Sequence, residues 1–290
     1  MSLRLEMLQV ARLAPKILGE STGLVRDFVL RQQNPDGGFK DRSGASDLYY
    51  TVFALDSLIA LQAELPADST RKYVEQFGSG EFLDFVHFCC LARARCALNI
   101  TADPTETGRR IERFRSADGG YNVLAQSKFG TAYAAFLALG AYQDLRLELP
   151  TDLKLVQSLK FLETADGAWA NDRNVKSGST NATAAAVITL GQLDQPINPA
   201  VGDWLLARFR PDGGFRASPD APLPDLLSTA TALHALSSLQ VPLDPVKERC
   251  LDFIDTLWTN EGSFHGHWGD DFLDCEYTFY GLLALGHLSL

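Results

Sequence analysis

The chain has 290 residues, of which 46% are hydrophobic and 21% charged, and its formal net charge is −10. That balance suits a globular core, and the excess of acid excludes nucleic acid or an anionic membrane as the main partner. No stretch approaches the ~20 apolar residues that cross a bilayer, and the five cysteines include no C-x-x-C pair, so a reduced, cytoplasmic protein without a membrane span is expected.

The first segment, "MSLRLEMLQVARLAPKIL", interleaves charge with apolar residues and does not read as a secretory signal. Beyond it a glycine-aromatic signature recurs: PDGGF at Pro35, GSGEF at Gly78, ADGGY at Ala117, ADGAW at Ala165, PDGGF at Pro211 and NEGSF at Asn260. The marker glycines Gly38, Gly80, Gly120, Gly167, Gly214 and Gly262 stand 40 to 48 residues apart, the length of a two-helix unit. In each signature the acid can bond turn backbone, glycine supplies positive φ, and the aromatic ring packs back between helices.

Each signature runs into a helix of small and apolar residues. These are "SDLYYTVFALDSLIAL" from Ser46, "EFLDFVHFCCLARA" from Glu81, "SKFGTAYAAFLALGAY" from Ser127, "STNATAAAVITLGQL" from Ser179, "PDLLSTATALHALSSL" from Pro224 and "LDCEYTFYGLLALGHL" from Leu273. Segments apolar nearly all round mark helices buried on every side. The intervening segments, such as "PTDLKLVQSLKFLET" from Pro150, carry charge on one face and suit an outer layer. The expected fold is all-α: a closed (α/α)6 toroid of six inner and six outer helices, forming a single domain over residues 1–290.

Three of these segments carry a family resemblance. "GASDLYYTVFAL" is similar to the G-E-x-D-T-R-F-x-x-x-A-L element of protein prenyltransferase β subunits, of the geranylgeranyl and farnesyl transferase type. "LPDLLSTATALHALSSL" is similar to their L-P-D-V-C-Y-S-W-W-V-L-x-S-L, and "DCEYTFYGLLALGHLSL" to their D-x-x-H-T-x-x-G-I-A-G-L-S-L. Over its whole length the chain resembles the α/α-toroid superfamily that holds these subunits and the squalene and other terpene cyclases. The resemblance implies an isoprenoid-sized cavity. In the transferases it also implies zinc, held by an Asp, a Cys two residues later and a distant His. The matching positions here are Asp225, Leu227 and Tyr277, so two of the three donors are lost. The lysine expected before Leu-Pro-Asp falls on Ala221 and Pro222, Tyr49 replaces the arginine of the first element, and the D-x-D-D of the cyclases aligns with Asp225, Leu226, Leu227 and Ser228. No cofactor is therefore expected. Zinc is the lesser alternative, through His265, His267, Asp270, Asp271 and Cys275, whose spacing matches no standard motif.

A toroid gathers all six inner N-termini at one end, and here that end carries Asp47, Glu81, Asp84, Asp225, Asp274 and Glu276. Two readings stand: the acids cap helices, or they form the polar rim of a cavity walled by aromatic rings. The same rings could equally fill a core. The candidate catalytic residues are Asp47, Asp225, Asp274, Glu276 and Tyr277, as general acids or cation stabilisers. The candidate substrate-binding residues are Tyr49, Tyr50, Phe53, Phe88, Tyr133 and Tyr280, whose rings would face an isoprenoid or other apolar small molecule. His234, deep in its helix, is expected to be a hydrogen-bonded core histidine. The functional expectation is a prenyltransferase- or terpene-cyclase-like protein that works without the usual zinc. The alternative is a catalytically inactive toroid that binds a lipid or a partner protein.

Overall fold

The computed structural model describes residues 2–148 and 153–290; the start expected at Pro150 for one outer helix lies outside the described residues. The chain opens with α1 (Leu3–Ala11) and a short turn, α2 (Pro15–Leu18). Helix α3 (Thr22–Arg31) then pairs with α4 (Leu48–Ala60), α5 (Ala67–Glu75) with α6 (Phe85–Ala97), α7 (Pro104–Glu112) with α8 (Ala132–Asp144), α9 (Leu153–Lys160) with α10 (Thr180–Gln192), α11 (Ala200–Leu206) with α12 (Leu226–Ser238), and α13 (Asp244–Leu257) with α14 (Cys275–Leu288). The second helix of every pair packs on the second helix of the next, and α14 returns to α4, so six inner helices close a ring. Short links join each inner helix to the following outer one, and the longer segments lead inward. All six inner N-termini therefore share one end. The fold is an α/α toroid.

The recurring signature explains how each inner helix is seated. The rings of Phe39, Tyr121, Trp169, Phe215 and Phe264 are all buried. Three signatures form small antiparallel hairpins: β1 (Phe39–Lys40) with β2 (Ser46–Asp47), β3 (Phe215–Arg216) with β4 (Pro224–Asp225), and β5 (Trp258–Thr259) with β6 (Ser263–Phe264). A threonine in the first turn of the inner helix ties ring to helix. The amides of Phe39, Trp169 and Phe215 donate to the hydroxyls of Thr51, Thr183 and Thr229 at 3.0, 3.1 and 2.9 Å. In the last unit the Thr278 hydroxyl instead bonds the Ser263 hydroxyl, beside Phe264, at 2.8 Å. The second unit departs from the pattern: Phe82, expected to pack back like the other five, is 98% exposed. Phe85 fills the place from within α6, buried against Phe114.

Glycine closes the ring. Gly262, in the sixth signature, has φ +94, and a Cβ there would lie 2.2 Å from the Leu24 carbonyl oxygen of α3. No other residue permits that approach. Arg31 of α3 also donates to the Glu261 carbonyl at 2.9 Å. The last signature is thus docked on the first outer helix.

Helix α1 lies across the opposite end of the ring, against α4, α8 and α14. Its backbone touches α14 at Gly286, where a Cβ would lie 2.1 Å from the Val10 carbonyl oxygen. Arg4 is buried and donates to Asp56 Oδ1 at 2.8 Å, while Arg93 pairs with the other oxygen of the same, fully buried carboxylate. Glu6 accepts from Gln192 and the Leu3 amide donates to Gln143, both at 2.8 Å. The barrel therefore has a floor at the C-terminal ends of its inner helices and opens at their N-terminal ends.

Candidate functional site

The inner helices share a register that sorts their first residues by role. The residue before each helix is its cap: Asp47, Asp84, Thr131, Ser179, Asp225 and Asp274 each accept a backbone N–H of the first turn. That hydrogen bond satisfies one of the donors a helix start leaves unpaired. The second helical residue points to the ring axis in five of the six helices, as Tyr49, Tyr133, Asn181, Leu227 and Glu276. The next turns add Phe136, Ala184, Ala185, Thr231 and Tyr280, then Ile188, His234 and Leu283, at the spacing expected of one helix face. With Met7 of α1 beneath, they enclose a central cavity of about 280 Å³. Small side chains on α10 make the room.

Inside this mostly apolar wall Glu276 is the acidic group. Its Oε1 accepts the Tyr49 hydroxyl at 2.6 Å. Burial pushes the carboxyl up to about 7, a rise that the Tyr49 hydrogen bond only partly offsets. Burial also holds the hydroxyls of Tyr49, Tyr133 and Tyr280 well above the ordinary phenol range, so all three remain neutral donors. On α12, His234 faces the cavity, and its Nδ1 lies 3.0 Å from Nε2 of His287. Burial pushes His234 down to about 4 and His287 to about 3, so the pair is neutral and shares one N–H.

The other candidate catalytic residues occupy the rim. Asp274 caps α14 and also accepts from Arg42 Nε at 2.9 Å, and Arg42 reaches Asp270 at 3.0 Å. Burial nevertheless holds the Asp274 carboxyl above its ordinary range. Asp225 caps α12 and takes both the amide and the hydroxyl of Ser228 at 2.7 Å; burial raises it too. Asp47 caps α4 and meets His87 Nε2 at 2.9 Å, while Asp84 meets His87 Nδ1 at 2.8 Å. The Asp47 hydrogen bond leads in pushing His87 up to about 9, with Asp84 adding to it. Burial works against the Asp47 charge, but His87 and the two capped amides hold its carboxyl below the usual range. Tyr277 does not line the cavity. Its ring lies under the Arg42 guanidinium, 5.3 Å from the centroid, and against Gly266, where a Cβ would come within 2.4 Å of it.

The candidate substrate-binding residues divide likewise. Tyr49, Tyr133 and Tyr280 line the cavity. Phe53 is buried behind that wall, packed on Tyr49, Phe279 and Tyr280. Phe88 is buried against Gly80, and Tyr50 sits half-buried at the rim. The sequence reading missed Met7, Asn181, Thr231 and Leu283, which carry no chemical signal of their own. It also missed Arg42, which organises the rim from the β1–β2 turn.

The zinc that the resemblance implies for transferases does not suit the residues present. Leu227 offers no donor, Asp225 is engaged with Ser228, and the Tyr277 position is occupied by a ring stacked on a cation. Among the described residues, no group of three His, Cys, Asp or Glu side chains is arranged to hold a metal ion. His265, His267, Asp270, Asp271 and Cys275 form no such group.

The fold has known counterparts. A MstE type II terpene cyclase variant from Scytonema, solved in complex with its substrate geranylgeranyl dihydroxybenzoate, is 14% identical over 98% of this chain and 98% of that chain, with a TM-score of 0.63. Candida albicans protein geranylgeranyltransferase-I complexed with GGPP is 15% identical over 97% of this chain and 81% of that chain, at 0.53. The ent-copalyl diphosphate synthase from Streptomyces platensis is 17% identical over 83% of this chain and 50% of that chain, also at 0.53. At such identities the likeness is one of fold. No curated protein sequence matches the chain. No helix among the described residues is long and apolar enough to cross a membrane. The family model for the prenyltransferase alpha-alpha toroid domain matches residues 16–79 and 181–288, more than half of the sequence, and the chain belongs to that family.

Proposed function

We propose that this protein binds an isoprenoid in its central cavity and acts on it as a terpene-cyclase-like enzyme, with Glu276 exchanging the proton. The observation that carries this reading is the position of Glu276: a carboxyl inside an aromatic-walled cavity, pushed up to about 7 and held by Tyr49. A group with that affinity is partly protonated at neutral pH, which suits general acid–base work. Glu276 gives its proton to the bound isoprenoid, and the Tyr49 hydrogen bond stabilises the carboxylate left behind. The faces of Tyr133, Tyr280 and Phe136 stabilise the cationic carbon that results. Loss of a proton from the cyclised cation returns Glu276 to its acid form, so the substrate is isomerised with no net gain or loss.

Two features favour cyclisation over prenyl transfer. Among the described residues the cavity wall includes neither lysine nor arginine to hold a diphosphate, and two of the three donors that transferases use for zinc are replaced, by Leu227 and Tyr277. Its volume, about 280 Å³, lies just under the ~300–1,000 Å³ of pockets that enclose a small molecule, which favours a short isoprenoid. The structural counterparts named with isoprenoid substrates support the same ligand class.

The test is incubation with isoprenoid alcohols, epoxides and geranylgeranyl esters, followed by mass spectrometry of extracted products and of retained ligand. The expected result is a cyclised product whose rate falls by ~10²–10⁴ in Glu276→Gln while binding stays within a few-fold. Retention without turnover would instead favour a lipid-binding toroid. Neither product nor retained isoprenoid would end both readings.

A further inference from the structure

Exposed Phe and Trp side chains of this protein are gathered toward one end. Every exposed Phe and Trp among the described residues, namely Phe82, Phe129, Phe161, Trp268 and Phe272, lies on the segments that lead from an outer helix to the next inner one. Those segments surround the open end of the barrel. Val175 and Leu223 continue the ring through the segments before α10 and α12. Five of the six approaches to the cavity thus carry an exposed large apolar side chain, and Phe82, at 98%, has left the core position that its counterparts occupy. The exposed large hydrophobics at the floor end are aliphatic, such as Leu5 on α1. Single exposed hydrophobics need no explanation, but a set gathered around one opening does.

Charge in the same segments is of both signs. Lys128, Arg173 and Lys176 stand among these rings, with Arg173 4.0 Å from the Phe129 centroid and 5.3 Å from that of Phe161. Glu81, Asp172 and Asp271 are exposed beside them. Separate apolar tips, aromatic rings and interleaved charges of both signs match the interface of a zwitterionic lipid layer, where aromatic rings settle at headgroup depth. A protein of net charge −10 has no general attraction for an anionic one.

We infer that the open end of the toroid docks on a zwitterionic lipid surface, with Phe82, Phe129, Phe161, Trp268 and Phe272 inserted at headgroup depth. The mouth of the apolar cavity then faces the layer in which an apolar ligand is dissolved. This rests on the proposed function only for its purpose, because docking is measured with no ligand present.

The test is flotation of the purified chain with phosphatidylcholine vesicles, with and without phosphatidylserine. The wild-type chain is expected to float with pure phosphatidylcholine, and Phe82→Glu combined with Leu124→Glu to weaken its partition by roughly tenfold or more. Leu124 is 70% exposed in the same ring and neither side chain is packed in the core, so folding is retained; far-UV circular dichroism checks it. Leu5→Glu, at the floor end, is expected to float like wild type. A wild-type chain that stays with the aqueous fraction overturns the inference and leaves the ring to a protein partner. So does binding that requires phosphatidylserine and vanishes with salt, or equal loss in Leu5→Glu.

Discussion

The Tyr49 hydroxyl donates to Oε1 of Glu276 at 2.6 Å across the seam between the first and last inner helices, joining residues 227 positions apart. The carboxyl that accepts it is the one acid the register turns toward the axis, and its protonation is coupled to folding. Its folded pKa, about 7, lies above the ordinary 4.5. The folded state therefore binds the extra proton, and the associated stability is full below pH 4.5 and is lost as pH rises through about 7. Glu276→Gln mimics the protonated form. It is expected to leave stability unchanged near pH 4 and to raise it near pH 8, by about 3 kcal/mol at most at 1.36 kcal/mol per pKa unit. Thermal melts of both proteins across that range decide it; parallel curves would remove the strained carboxylate.

His87 shifts in the same direction for the opposite reason: its charged form is favoured, where that of Glu276 is penalised. Its folded value of about 9 exceeds the ordinary 6.5 because Asp47 and Asp84 both hold its charge. The contribution is fully present below pH 6.5 and lost as pH rises through about 9. The side chain is one-third exposed, so screening reduces the gain to roughly 1 kcal/mol. His87→Gln should destabilise the protein at pH 6 and match wild type above pH 9.5. Denaturant titrations showing equal loss at both pH values would mean that packing, not charge, accounts for the residue.

Gly262→Ala tests the ring closure. A methyl group there meets the Leu24 carbonyl at 2.2 Å in a backbone held at φ +94. The expected cost is ~2–4 kcal/mol, from strain and displacement of α3. Gly23→Ala, on the same outer helix with open space around its Cβ, should be neutral or mildly stabilising. Urea unfolding of the two variants separates a closure defect from a general sensitivity of α3.

Ala185→Phe tests the cavity. Ala185 is on the wall supplied by α10, and a larger ring there occupies part of the cavity. Stability should stay within about 1.5 kcal/mol, because the ring fills a void and does not overpack a core. Isoprenoid retention should fall at least tenfold by mass spectrometry. A stable variant that still retains ligand as wild type does would place the binding site elsewhere.

Much of the fold was legible because each unit repeats its own local logic. A glycine, an aromatic one or two residues after it and then an apolar helix recur every 40 to 48 residues, so six weak signals reinforce one another. The site was less legible, and a single-residue register explains why. Asp274 and Glu276 are two positions apart in a run of polar residues, yet one caps the helix under Arg42 and the other faces the axis, bonded to Tyr49. Asp225 and Leu227, or Asp47 and Tyr49, divide in the same manner. Position on the inward helix face, not chemical type, selects what reaches the cavity. Phe53 and Phe88 fall one face away from it and fill the core. Arg42 carried no sequence signal, because its partners Asp270 and Asp274 are more than two hundred residues distant.

The floor has a consequence for the order in which the molecule is assembled. Helix α1 leaves the ribosome well before α14, yet Gly286 of α14 is part of the surface on which it rests. Until that last inner helix is in place, the apolar face of Leu3, Met7, Leu8 and Ala11 has an incomplete seat and the Arg4 guanidinium an unfinished enclosure. The contacts that finish the barrel span nearly its whole contour, and such closures come slowly because so much chain must be ordered first. Although made well before α14, helix α1 is expected to be among the last to dock.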